Sequence, residues 1–198
     1  MSLNLNSNCR SSDCYVYTPH THPKRLDVIP SARIIFVCGN SDISFCPPDY
    51  VRKIIDSIKR ENKKNPEKIY YFQSKNPKYF EQFLSEFPES VYLLTTLETN
   101  RDEGYENVSK APAPSIRYRR FRDLSYPRKI LTCEPLMQFD EDVFRGWLML
   151  INPKYIYIGF NSKQKSEIDP DPEKVKNLIA DLRDHKIKVK EKDLRGVK

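Results

Sequence analysis

Short apolar runs recur along the chain, and each passes directly into a polar or charged cluster at its carboxyl end. Ile34-Ile35-Phe36-Val37-Cys38 meets Gly39-Asn40-Ser41-Asp42, Ile69 to Gln73 meets Ser74-Lys75-Asn76-Pro77, Val91 to Leu97 meets Glu98-Thr99-Asn100, and Ile130 to Cys133 meets Glu134-Pro135. Runs of this length, rich in Ile, Val, Tyr and Phe, predict strands at Arg33 to Cys38, Lys68 to Gln73, Val91 to Thr96, Lys129 to Cys133, Tyr155 to Gly159 and Ile187 to Lys190. Helices are predicted between them. Asp49 to Asn62 places Val51, Ile54, Ile55 and Ile58 on one face behind Pro47-Pro48. Pro77 to Phe87, Asp140 to Ile151 and Pro172 to His185 follow the same logic, with Asp140 and Asp171 as caps. Near-continuous apolar strands alternating with helices require a parallel sheet covered on at least one face, so the fold class is α/β. Both an open sheet and a partial (β/α) barrel of about six parallel strands meet that requirement. Polar residues at the ends of so many different strands favour the barrel, because barrel sites are assembled at that end.

A chain of 198 residues with 38% apolar and 12% aromatic content suits a single domain over 1–198. Two segments escape the alternation. Residues 1–30 carry Cys9, Cys14, His20 and His22 among Ser, Thr, Asn and Pro, and read as a loop with room for a short strand at Leu3 to Asn6. Asn100 to Ser115, with Gly104 and Ala111-Pro112-Ala113-Pro114, reads as a surface excursion; loops of this length are often functional. No apolar stretch reaches the roughly 20 residues that span a bilayer, and Met1 to Asn8 lacks the basic start and apolar core of a signal peptide. A cytoplasmic protein without a membrane partner is therefore expected. Five cysteines, an odd number, then suggest metal ligands, redox thiols or buried small hydrophobes in preference to a disulfide framework.

The formal net charge of +7 permits attraction to phosphates. Arg117, Arg119, Arg120, Arg122, Arg128 and Lys129 crowd one segment, with Tyr118, Phe121 and Tyr126 between them. That mixture suits a nucleic-acid partner, held by phosphate neutralisation and base stacking; the simpler alternative is a solvated helix face whose aromatics point into the core. The lysine-rich stretch 186–198 has no aromatic residue and reads as a basic tail.

The strand ends supply the candidate site. Gly39 would allow close backbone approach to a ligand, and Asn40 and Asp42 could accept hydrogen bonds from an amino group or a ribose, although Asp42 could equally cap a turn. Lys75 would bind a carboxylate or phosphate if it faces the barrel mouth. Glu98 and Glu134 follow apolar strands, so burial would raise their pKa values and fit them for proton transfer; the alternative is a structural network with Lys75 and Arg101. Cys9, Cys14, His20 and His22 have zinc-ligand chemistry, though their spacing matches no standard finger. No nucleophile elbow, phosphate loop or helical metal-binding His pair is present, which argues against conventional hydrolases. Trp147 is most simply core packing.

The order of a cysteine-bearing loop ending in Cys14-Tyr15, then Gly39-Asn40-Ser41-Asp42, Ser74-Lys75-Asn76-Pro77, Glu98-Thr99-Asn100, Glu134-Pro135 and Gly159-Phe160-Asn161 resembles radical SAM proteins. The likeness is greatest to a phage-type branch distantly akin to spore photoproduct lyase, and it covers about Cys9 to Gly159. It implies a partial β/α barrel, a 4Fe-4S cluster and S-adenosylmethionine. Cys9 and Cys14 would be metal ligands, Gly39, Asn40, Asp42 and Asn100 would bind the cofactor, and Lys75, Glu98 and Glu134 would act on a small-molecule or nucleic-acid substrate. Such clusters use three thiolates and leave one iron open. Here Ser11 stands where the second cysteine is usual, Asp13 where an aromatic is common, and Cys9 lies five positions before Cys14. Cys38 or Cys46, or an imidazole from His20 or His22, could complete the set. The alternative is a barrel without a cluster that serves as a nucleic-acid or ligand binding module.

Overall fold

All of the predicted strands form, each within two residues of its expected bounds, in a computed structural model that describes residues 20–39, 41–160 and 168–192. They are β1 (Ile34–Val37), β2 (Ile69–Gln73), β3 (Val91–Thr96), β4 (Lys129–Cys133), β5 (Ile156–Ile158) and β6 (Val189–Glu191). The six pair in chain order, every pair parallel. Each crossover thus steps to the next strand in one direction, and the twist of neighbouring strands curls the sheet into a half-barrel. Val189–Glu191, within the stretch 186–198 that also reads as a basic tail, completes the sheet as β6, where the strand at Ile187 to Lys190 is predicted.

Among the described residues four α-helices cover the outside: α1 (Pro48–Asn62), α2 (Pro114–Asp123), α3 (Glu141–Ile151) and α4 (Pro172–Asp184). α1 starts at Pro48, where a missing N–H is harmless, and buries Val51, Ile55 and Ile58. Asp171 caps α4 by accepting from the Glu173 N–H at 2.8 Å. Asp140 precedes α3 but makes no cap hydrogen bond; its carboxylate is drawn to Arg101 and Asn100. Asn152 ends α3 at φ 50°, a left-handed conformation that Asn tolerates. Between β2 and β3 the chain forms a 3₁₀ helix, Pro77–Phe83, in place of the predicted α-helix. Phe80 and Phe83 are both buried, and three residues per turn sets them on one face. α2 was hidden by its arginines, since its inward face is Arg117, Tyr118 and Phe121.

The strands alternate strictly between two faces. Tyr70, Phe72, Leu93, Leu131, Cys133, Ile156 and Ile158 point to the helices in the main core. Trp147 stacks flat on Tyr118 at 4.4 Å between centroids, which confirms its packing role. On the inner face Tyr71, Leu94 and Ile130 are buried, with Ile69, Tyr92, Tyr155 and Tyr157 against them. The hydroxyls of Tyr71 and Tyr155 are hydrogen-bonded over Leu94 and Ile130, although β2 and β5 lie three strand spacings apart. This tyrosine pair plugs the lower half of the concavity. Above it Gln73 donates to the Thr96 hydroxyl at 2.9 Å, in the layer next to the carboxyl ends of the strands.

Candidate functional site

The strand-end loops are tied into a continuous rim. Asp42, after β1, accepts from the Ser44 N–H at 2.8 Å, from the Ser74 hydroxyl at 2.7 Å and from the Lys75 N–H at 2.7 Å. The β2 and β3 loops meet where the Thr95 hydroxyl donates to the Ser74 carbonyl at 2.7 Å. The Glu98 carbonyl accepts from the Met137 N–H at 2.8 Å, and the Thr99 hydroxyl donates to the Gln138 carbonyl at 2.6 Å, so the β3 and β4 loops meet as well. The Leu136 N–H donates to the Gly159 carbonyl at 2.8 Å, and Lys192 pairs with Glu134 at 2.6 Å, closing the rim toward β6. A Cβ at Gly159 would lie 3.0 Å from the Lys192 Cβ, so any side chain there would have to push the β6 end away by a few tenths of an ångström.

Glu98 is the chemical centre of the rim. Its side chain is 3% exposed, with Lys75 Nζ 2.5 Å from Oε1 and Arg117 Nη2 2.8 Å from Oε2. The Tyr105 hydroxyl donates to Oε2 at 3.2 Å, and the Tyr105 ring lies 4.8 Å beneath the Arg117 guanidinium. Arg117 is fully buried; Nη1 donates to the Thr96 carbonyl at 2.6 Å. Its Nε finds no acceptor, and Nη2 touches Glu98 off the N–H axis, as an ion pair without an aligned hydrogen bond. Burial alone would push the Glu98 carboxyl up, but the charges of Arg117 and Lys75 at contact distance outweigh it, and the pKa lies below the ordinary glutamate value. The expectation that Glu98 is tuned upward for proton transfer is therefore corrected: it is held ionised. Its partners are Lys75 and Arg117, whereas Arg101 pairs with Asp140 at 2.7 Å.

The other expected site residues fall into place as follows. Glu134, which follows β4 and precedes a cis Pro135, is the partner of Lys192. Asn100 donates to Asp140 at 3.1 Å and accepts from the Asp140 N–H at 2.8 Å, bridging the β3 loop to α3. A Cβ at Gly39 would make only ordinary contact, 3.7 Å from the Phe36 Cβ, and the left-handed residue of this turn is Cys38 at φ 57°. Cys9, Cys14, Asn40 and Leu3 to Asn6 lie outside the described residues. Arg117 is corrected as a phosphate contact: with no solvent exposure it faces inward and neutralises Glu98. Arg120 donates to Asn76 at 3.2 Å, Arg122 pairs with Asp123 at 2.7 Å while lying 5.3 Å from the Tyr118 ring, and Arg119 is exposed on the outside of α2. Sequence reasoning missed Tyr105, which the supposed surface excursion carries into the site. An aromatic next to Gly104 in an otherwise polar loop was the available signal.

Three described cysteines are free. Cys133 is buried, which pushes its thiol pKa up. Cys38 and Cys46 face one another across the β1 loop; the Cys38 thiol hydrogen-bonds to Cys46, pushing Cys38 up and Cys46 down. Near neutral pH, iodoacetamide should therefore modify Cys46 before Cys38 and Cys133, as read by peptide mass mapping. Earlier labelling of Cys133 would show that the main core opens locally. Among the described residues no three His, Cys, Asp or Glu side chains converge as a metal site. Comparisons with known proteins found no matching family model, no matching curated protein and no matching solved structure.

Proposed function

We propose that the chain is a radical SAM-like protein that works at the carboxyl-terminal mouth of its half-barrel. One observation carries the reading: six parallel strands in unbroken order bring the loops with Gly39, Asp42, Lys75, Glu98 and Glu134 to one end, in the order the sequence resemblance implies. Thiolate ligands would come from Cys9 and Cys14, with the Cys38 and Cys46 pair at the end of β1 offering a further sulfur of suitable chemistry. When bound, a 4Fe-4S cluster supplies the electron that cleaves the sulfonium of S-adenosylmethionine.

The chain's own residues bind and orient. Lys75 is the one member of the Glu98 triad with substantial solvent access, at 37% side-chain exposure. A ligand carboxylate or phosphate can therefore take up the Lys75 ammonium while Arg117 keeps Glu98 compensated. Asp42 and Asn100 hold neighbouring loops by hydrogen bonds and so fix the shape of the mouth. Iron and acid-labile sulfide, measured after anaerobic reconstitution, test the proposal. About four irons per chain are expected, with loss of iron in Cys14→Ala. Iron content at background in the reconstituted wild type would reject it.

A second reading is a ligand-binding barrel that forms no cluster. It is favoured by the neutralised rim: Glu98 is enclosed by cations and Glu134 is paired with Lys192, so neither carboxylate is left without a counter-charge. Background iron together with retained ligand binding would select it.

A further inference from the structure

The arginine-rich helix α2 attracts attention as a polyanion site, yet the inner face of the sheet is the better-built one. β6 is an edge strand, and its alternation sends Lys188, Lys190 and Lys192 to the concave side while Val189 packs into the main core. In register beside them stand Tyr157, on β5, and Tyr155, immediately before it. The Lys190 ammonium lies 3.7 Å from the Tyr155 ring centroid and 5.2 Å from that of Tyr157, and Lys192 lies 5.4 Å from Tyr157. Among the described residues no carboxylate lies within ion-pairing distance of Lys188 or Lys190. Lys190 is held by ring quadrupoles, so moving it onto a phosphate breaks no ion pair. Glu191, on the opposite face of the strand, pairs outward with Arg183 at 2.5 Å. At the far edge of the same face Phe36, on β1, packs edge-on against Tyr71 at 5.0 Å between centroids and is 50% exposed, which leaves ring surface open to a stacking partner.

We propose that this inner face binds single-stranded nucleic acid, with phosphates on Lys188 and Lys190, beside the Lys192–Glu134 pair, and unstacked bases against Tyr157 and Phe36. Uncompensated lysines beside aromatic rings on a concave sheet supply the two things such a strand needs, neutralisation of its backbone and stacking platforms for its bases. An acidic peptide would use the lysines but leave the rings without a role. A duplex would keep its bases stacked away from them. The proposal goes beyond the reading of the mouth and holds whether or not a cluster forms.

Fluorescence polarisation of a labelled deoxythymidine strand of about 12 nucleotides, titrated with the full chain in iron-free form, provides the test. Lys188→Ala with Lys190→Ala should weaken binding by about tenfold or more and lower the salt slope by about 1 to 2. The matching arginine substitutions should restore both. Tyr157→Leu should weaken binding by about fivefold or more. Arg119→Ala with Arg122→Ala, on the outside of α2, should change little. The proposal is overturned if the strand does not bind at low salt, if the α2 variant alone loses binding, or if a duplex binds more tightly. It is also overturned if poly-glutamate competes fully and Tyr157→Leu has no effect, which would identify an acidic peptide as the occupant. Because the protein carries no iron in this assay, failure leaves the cluster reading to the iron determination.

Discussion

Replacing Arg117 by alanine should cost about 3 to 5 kcal/mol of folding stability, measured by urea denaturation at neutral pH. The effect is large because the substitution leaves Glu98 ionised and 3% exposed, with Lys75 as its remaining counter-charge. The Thr96 carbonyl also loses its donor, and Tyr105 loses the cation above its ring. The dependence on pH has a defined sign. In the wild type the folded-state pKa of Glu98 is depressed, so its contribution is present above the unfolded carboxylate value of about 4.3 and is lost as pH falls through the folded one. In Arg117→Ala the main compensating charge is gone, burial dominates, and protonation of Glu98 relieves the penalty. The stability difference between wild type and variant should therefore shrink on acidification toward pH ~4. Arg117→Leu combined with Glu98→Leu should lose less than the sum of the two single changes, because an apolar pair removes the buried charges together and Lys75 can turn to solvent. A loss under about 1 kcal/mol for Arg117→Ala would mean that the triad is not sealed from water.

The strands were legible because nothing in their environment competed with the pattern. Val91 to Thr96 and Lys129 to Cys133 are central, buried on both faces, and read as continuous apolar runs whose ends match those in the structure. Legibility fell where a charged residue faces inward. Arg117 sits between arginines that do reach solvent, and one-dimensional charge counting gives it the same weight as Arg119. Only the three-dimensional meeting of β3, the loop 100–113 and α2 separates them. Glu98 misled for the same reason: burial after an apolar strand was read correctly, but the pKa direction depends on partners 19 and 23 positions away, Arg117 and Lys75. Asp42 and Asn100 show the converse. Their hydrogen-bonding capacity was plain from the sequence, and the structure directs it to neighbouring loops, where it holds the rim.

Leu94→Ala should destabilise the protein by about 2 to 5 kcal/mol, a cavity cost comparable with the loss of Arg117 but with a different origin. Leu94 is fully buried on the inner face of β3, a position that an open sheet would leave wet. It is dry because the sheet's curvature lets Tyr71 and Tyr155 meet above it, with burial pushing the Tyr71 hydroxyl pKa up to about 12. Truncation removes apolar contact beneath a lid that the surrounding barrel holds in place, so the site cannot collapse and the full cavity term should be felt. Tyr155→Phe provides the paired measurement. It removes the hydroxyl contact and keeps the ring, and should cost about 1 kcal/mol. If Leu94→Ala instead costs under about 1 kcal/mol, the tyrosines can settle into the gap and the plug is not rigid. That distinction bears on function, because a rigid plug confines ligands to the layer above Gln73 and Thr96, where Lys75, with Glu98 and Arg117 buried behind it, and Lys190 of β6 are the groups they would meet.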